Sequence, residues 1–441
     1  MAVLRPFRGI MYDPGRVDVG RVVAPPYDVI SHDDQQRYYR QDPHNVVRLI
    51  AGEVHPTDSD KDNKYVRAAG FFESWLREGI VRREEEPAVY LYRHSFEDPI
   101  SRKKRTRNGI LAVVELEPFG QGVLPHERTH ARAKADRLSL TRAVGANLSP
   151  IFVMYEDPKE ESASVLPGGQ REPSRLSFRS DDGDQHTIWS IGDQERIRQL
   201  AGVIGESRLY VADGHHRYET ALNYRNKMRA EHPDAPRDAA FNFVLMLLVD
   251  VKDPGLVILP THRVVHDWAG FDGKRLMDGL AEIYRLTPHK DRAGLMLSMQ
   301  EPVPDIRIGM VIRDPSAQPG SGELRHFTVD IKRQSAGDPA SELDVSVLHR
   351  RILQDQLGLT EAAVEEERYV SYSRDLAEVI RRVAVGDAQA AFLLRPPAVT
   401  DVVEVARAGQ VMPQKSTYFY PKPASGIVFN PLDPTIRIPP A

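Results

Sequence analysis

The chain has 441 residues, 41% hydrophobic and 28% charged, with a formal net charge of -4. That length exceeds one ordinary core, so two or three domains are expected, and the evenly mixed charge excludes a nucleic-acid footprint. No run approaches the ~20 apolar residues of a membrane span, MAVLRPFRGI lacks a signal-peptide pattern, and zero cysteines exclude disulfides, thiolate zinc sites and thiol catalysis, as a cytoplasmic protein would have it.

In chain order, residues 1–50 hold PFRG (Pro6 to Gly9), VVAPPYDVIS (Val22 to Ser31) and NVVRLI (Asn45 to Ile50). Pro25-Pro26 forces an extended segment that presents Tyr27 and Asp28 rigidly. A short polar helix is expected from Asp33. Residues 63–79 read as an amphipathic helix through Ala68, Phe71, Phe72, Trp75 and Leu76, ended by Gly79. Val89 to Phe96 and Arg107 to Leu116 alternate as strands of a hairpin around the basic run Arg102 to Arg107, which reads as solvated. A helix from Ala133 to Val144 and a strand from Ile151 to Met154 follow. Residues 156–184 read as a surface excursion, ahead of a strand at His186 to Ser190 and a helix at Asp193 to Gly202. Leu209 to Ala212 is a buried strand, the chain is helical from His215, and Phe241 to Val249 is a second buried strand. Beyond residue 270 helical and strand patterns alternate, with breaks at Pro315 to Gly322 and Arg395-Pro396-Pro397, and no internal repeat is evident.

Three motifs carry chemistry. Asp213-Gly214-His215-His216-Arg217 sits where a buried strand meets the first turn of a helix, the place where backbone N–H groups and the positive end of the helix dipole favour phosphate. Gly214 permits close approach, Arg217 offers a fork of donors, and Asp213 is placed to hold Mg²⁺ or orient a nucleophile. The competing structural reading makes Asp213 a helix cap followed by two solvated histidines. Pro125-His126-Glu127-Arg128-Thr129 places a carboxylate among cations, which suits a general base or a charge-balanced surface loop. Met412 to Thr417 sets Lys415 before the hydroxyls of Ser416 and Thr417, donors for a phosphate or a carboxylate, without the spaced glycines of a Walker A loop. His126 and His130 also match H-E-x-x-H, but a third metal ligand is not evident.

Nearly the whole chain resembles a bacterial family known as domain of unknown function 1015, through PFRG, VAPPYDVIS, NVVRLI, PHERT…KADRL…GANLSPIF, ADGHHRYETAL and GQVMPQKSTYFYP. It is more remotely similar to the free-serine kinases, which carry Pro-His-Glu, then a strand with Asp-Gly-His-His-Arg, then a Gly-Glu-Val…Pro-Lys-Thr-Thr segment in the same order. That resemblance implies an α/β (α+β) protein with a ParB/sulfiredoxin-like catalytic core at 106–265. Around it are expected an N-terminal extension at 1–105, an α/β C-terminal domain at 266–405, and a segment at 406–441 that returns to the cleft.

The resemblance also implies a nucleotide-dependent phosphotransferase acting on the hydroxyl of a small metabolite, free L-serine first, with Mg²⁺ and ATP or ADP. Glu127 would be the base, Asp213 and His216 would share in catalysis, and Asp213 would hold the metal. Gly214, His215, His216, Arg217, Lys415, Ser416 and Thr417 would bind nucleotide phosphates. Tyr418 and Phe419 replace the arginine and histidine that follow Lys-Thr-Thr in the kinases. VAPPYDVIS has no counterpart there. It reads either as a brace or as an acceptor-pocket wall of Tyr27, Asp28 and Ser31, with Asp28 binding a substrate ammonium group. A non-catalytic ParB-like binding module and a phosphatase or nuclease are the rival readings. Neither nucleic acid nor membrane is an expected partner, and the oligomeric state is not legible.

Overall fold

The computed structural model describes residues 2–127, 131–165, 173–314, 322–333 and 337–441. The chain forms two compact units, Met1–Val257 with Tyr420–Ala441, and Ile258–Phe419. Both mix helix and strand, so the protein is α/β with a mixed sheet, as expected.

The first unit is built on nine strands: β1 (Leu4–Arg5), β2 (Val89–Glu97), β3 (Lys104–Glu115), β4 (Val123–Leu124), β5 (Ile151–Tyr155), β6 (Leu176–Arg179), β7 (Gln185–Ile191), β8 (Leu209–Asp213) and β9 (Phe243–Asp250). Their order is β4-β8-β5-β9-β3-β2-β7-β6, with β1 also on β3. Two pairs, β8 with β4 and β9 with β5, are parallel and the rest antiparallel. Alternate residues such as Leu91, Ala112, Val153, Val211 and Met246 join a core with Ile197, Leu200 and Ile204 of one helix and Tyr218 and Ala221 of another. The opposite face is also buried, through Tyr90, Leu111, Phe152 and Leu247. Burial on both faces explains why β9 reads as an unbroken apolar run.

Among the described residues this unit has five longer helices: α1 (His32–Gln41), α2 (Lys64–Arg77), α3 (Ala131–Val144), α4 (Gln194–Glu206) and α5 (His215–Glu231). Asn63 caps α2 through Tyr65 and Val66, and Gly79 follows its end at φ 71°. The expected boundary at 105/106 falls inside β3, because the basic turn joins two strands of one sheet rather than two domains. Arg107, read as solvated, is 1% exposed: its guanidinium lies 4.7 Å from the Phe152 ring centre and donates to His94 Nδ1 at 3.3 Å. Strand alternation turns it inward while Lys104 faces water.

The second unit holds an all-antiparallel sheet of β10 (His262–Val265), β11 (Arg285–His289), β12 (Ile306–Arg313), β13 (Leu324–Ile331), β14 (Val370–Ser373) and β15 (Ala390–Leu393), ordered β11-β13-β12-β15-β10-β14. Leu295 and Met299 of α6 (Arg292–Gln300) and Val379 and Val383 of α7 (Leu376–Val385) pack on Val264, Val311 and Leu393. The expected boundary at 405/406 lies inside α8 (Val399–Arg407), whose Val402, Val405 and Ala406 are buried.

Candidate functional site

The parallel pairing of β4 with β8 sets Val123 opposite Leu209 and Leu124 opposite Tyr210. Parallel neighbours release their following loops at the same sheet edge, so Pro125-His126-Glu127 and the Asp213–Arg217 turn emerge side by side. The backbone N–H of His126 donates to His215 Nε2 at 3.2 Å, and the two rings meet edge to face with centres 4.7 Å apart. Two motifs 86 positions apart, from Glu127 to Asp213, thus share one locus.

A bulge aims the acid. Val211 pairs with Val153 and Asp213 with Phe152, so β8 uses two steps against one on β5. Regular alternation would put Asp213 on the Val211 face, inside the apolar core. The extra residue puts it on the Phe152 face instead. There Asp213 Oδ1 lies 2.6 Å from Lys422 Nζ and Oδ2 lies 2.5 Å from Arg217 Nη2. Burial by itself would raise the Asp213 carboxyl, but Lys422 and then Arg217 hold it down at about 2. Burial opposes the charge of Lys422 too, yet Asp213 and Asp28 hold its ammonium above the ordinary lysine value.

The N-cap of α5 is Gly214 at φ 104°, with no side chain to bond the first-turn amides. The cap expected at Asp213 is therefore one residue further on. A Cβ at position 214 would lie 3.0 Å from the Arg217 guanidinium, so both the backbone and the neighbour call for glycine. Arg217 also donates to the Pro150 carbonyl, which fixes its head beside the turn. His215 is buried, and burial followed by His126 keeps it neutral well below the usual histidine range. It seats the 125–127 segment rather than presenting a charge to phosphate. His216 and Glu127 are half-buried at the same edge. Arg128, Thr129 and His130 lie outside the described residues, and with them the H-E-x-x-H reading.

The VAPPYDVIS segment reaches this turn. Ala24 bridges to Ser425, and Asp28 pairs with Lys422. The Asp28 carboxylate therefore already carries an ammonium group from the chain itself. Tyr27 stacks beneath Arg137 at 3.9 Å. Ser31, expected in the acceptor pocket, caps α1 instead: its Oγ accepts from Asp34 N at 3.1 Å and donates to Asp34 Oδ2 at 2.6 Å.

Lys415, Ser416 and Thr417 belong to the second unit. Lys415 is exposed at φ 55°, and Ser416 is buried and donates to the Pro413 carbonyl. Arg263, fully buried, holds this loop from within. It donates to the carbonyls of Thr261 at 2.6 Å, Gln414 at 3.1 Å and Lys415 at 3.2 Å. Sequence reasoning missed Arg263 and Lys422. Lys422 had a signal in YPKP, a lysine fixed between prolines, but the kinase motif ended before it.

A resident divalent ion on Asp213 does not fit, because both carboxylate oxygens carry cations of the chain. Among the described residues no group of three or more histidine, aspartate or glutamate side chains could hold a metal. Nor is any helix among them long and apolar enough to cross a membrane.

The architecture and this turn define an α/β protein with a glycine-capped strand–helix joint lined by paired charges. The chain belongs to the family described as protein of unknown function (DUF1015), whose model matches residues 4–345. No curated protein matches it. Among solved structures, it is similar to a conserved hypothetical protein from Pyrococcus furiosus, with 14% identity, 70% of this chain and 90% of that one covered, and a TM-score of 0.33. It is also similar to a free serine kinase in complex with AMP, with 13% identity, coverages of 74% and 91%, and a TM-score of 0.35. A mutant free serine kinase in complex with ADP gives 12% identity, the same coverages and a TM-score of 0.35. Scores this low leave the activity of those proteins with those proteins.

Proposed function

We propose that the protein is a nucleotide-dependent phosphotransferase that phosphorylates the hydroxyl of a small metabolite, free L-serine being the first candidate. The observation that carries this reading is the joint of β8 and α5. There a glycine-capped helix N-terminus offers first-turn amides beside the guanidinium of Arg217, held in place by Asp213, at the same edge as the half-buried Glu127. Glu127 takes the proton from the acceptor hydroxyl as its oxygen bonds to the terminal phosphorus. The bond from that phosphorus to the bridging oxygen breaks, and the nucleotide leaves with the electron pair. Arg217, His216 and the first-turn amides hold phosphoryl oxygens, and Asp213 fixes the two cations. Mg²⁺ enters with the ATP or ADP as part of the substrate. Such a reaction requires positioning and electrostatic stabilisation above all.

A second reading, a non-catalytic nucleotide-binding module, draws on the charge balance of the turn, where Asp28 and Asp213 offset Lys422 and Arg217. One experiment separates the two. Protein is incubated with Mg²⁺, ATP or ADP and a pool of amino acids and hydroxy acids, and products are read by mass spectrometry. Arg217→Ala is expected to weaken nucleotide binding. Glu127→Gln is expected to keep it and lower turnover by about 10²–10⁴. Nucleotide binding without any phosphorylated product would leave the binding module, and wild-type turnover in Glu127→Gln would remove the base.

A further inference from the structure

Beside the Asp213 turn the first unit contains a cavity of about 60 Å³, walled by Tyr27, Arg137, Arg217 and Thr220. Leu140, Leu148, Ile151 and Val244 supply much of its remaining surface. Thr220 is 2% exposed, and its Oγ1 has no hydrogen-bond partner among the described residues. A buried hydroxyl left unpaired destabilises a protein, so one that lines a cavity is a place where a water or a ligand atom bonds.

Several other polar groups of the wall are committed. Ser149 bonds Ser425 at 2.6 Å, Asn147 Oδ1 accepts from Leu245 N at 3.1 Å and Asn430 Nδ2 at 3.0 Å, and Thr141 donates to the Arg137 carbonyl at 3.0 Å. The two guanidinium groups differ. Arg137 bonds Asp136 and the Ile50 carbonyl, and Arg217 bonds Asp213 and the Pro150 carbonyl. Each still has N–H donors beyond those bonds, since a guanidinium carries about five. The walls therefore offer N–H and O–H donors and no carboxylate. The volume holds about four to six water-sized groups, too few for a purine and enough for a carboxylate with its α-carbon and one substituent.

We propose that this cavity binds the carboxylate end of the phosphoryl acceptor, with Thr220 and Arg137 as specificity-determining residues, so that the substrate class is a short hydroxy-carboxylate. The proposal rests on the phosphotransfer reading for the word acceptor, but the cavity is tested without turnover. Calorimetry on the full chain compares L-serine with serinol and D-glycerate with glycerol, pairs that differ by the carboxylate, and titrates Mg-ADP and Mg-ATP separately. The carboxylates are expected to bind at least about tenfold more tightly than their neutral-ended partners, and Thr220→Val to weaken them by a similar factor, as loss of a hydrogen bond to a charged group would. The same variant should keep its nucleotide affinity and melt no lower than the wild type, because it removes an unpaired hydroxyl at constant volume. Equal binding of serine and serinol, unchanged carboxylate affinity in Thr220→Val, or a lowered melting temperature would each overturn the proposal. Nucleotide binding with no carboxylate binding removes the cavity assignment and leaves the phosphotransfer reading. Carboxylate binding with no nucleotide binding removes that reading and retains the cavity.

Discussion

His126 and His215 are two imidazoles buried against each other, and for both rings burial outweighs the support that the Asp213 carboxylate gives the charged form. Burial lowers His126 to about 4, against partial support from the Val211 backbone and Asp213. Because the folded pKa lies below the unfolded value of about 6.5, the unfolded chain binds more protons between those two values. Stability contributed by the neutral ring is complete above about pH 6.5 and is lost as pH falls toward about 4, by on the order of 3 kcal/mol. Urea unfolding from pH 7.5 to pH 4.5 should show that decline. His126→Gln, which cannot titrate, should flatten it. An unchanged slope in the variant would mean that another group drives acid unfolding. At this scale the sequence carried residue types but not their partners. Asp213 and Arg217 stood out as candidates because a strand–turn–helix reads locally, and Glu127 because it lies among cations. The Lys422 partner was not, because it arrives from 209 positions away.

Among the elements, the loop from Met412 to Thr417 shows most directly how a fold holds a strained segment. Lys415 sits at φ 55°, a region that disfavours a side chain, and the carbonyls on either side of its amide point to Arg263. The guanidinium also lies 4.8 Å from the Tyr372 ring centre and donates to His349 Nε2 at 3.2 Å. Arg263→Met keeps most of the apolar volume and leaves three carbonyls unpaired, so the second unit should lose about 3 kcal/mol, roughly one per bond. Hydrogen exchange should rise first across 410–418. Unchanged protection there would show that the loop holds itself. The hairpin of β2 and β3, α2 and the strand–helix joint of β8 and α5 were all readable from periodicity and turn residues. The bulge at Ala212 was not, because register is a property of a strand pair and one strand does not encode it alone.

Across the whole molecule, the last 22 residues rejoin the first unit after the chain has built the second. Ser425 bridges to Ala24, Phe429 to Ile10, Asn430 to Asn147 and Arg437 to Ala239, while Tyr12 and Phe72 pack on the Phe429 ring. Truncation after Phe419 removes all of these and strips Lys422 from two carboxylates. Breaking a buried ion pair from one side alone amounts to about 3–5 kcal/mol. The truncated chain should therefore lose a melting transition of the first unit, and full retention of that transition would show the tail to be dispensable. The sequence by itself determined the α/β class, most of the strands and helices, and the strand–turn–helix at 209–217, because periodicity and turn chemistry act within a few residues. Only the tertiary structure decided that Asp28 pairs with Lys422, that Ser31 is a cap, that Arg107 and Arg263 lie inside, and that Thr220 borders a cavity. Those outcomes depend on which distant segments share a sheet edge, and that is settled by burying apolar surface over the whole chain rather than by any local preference.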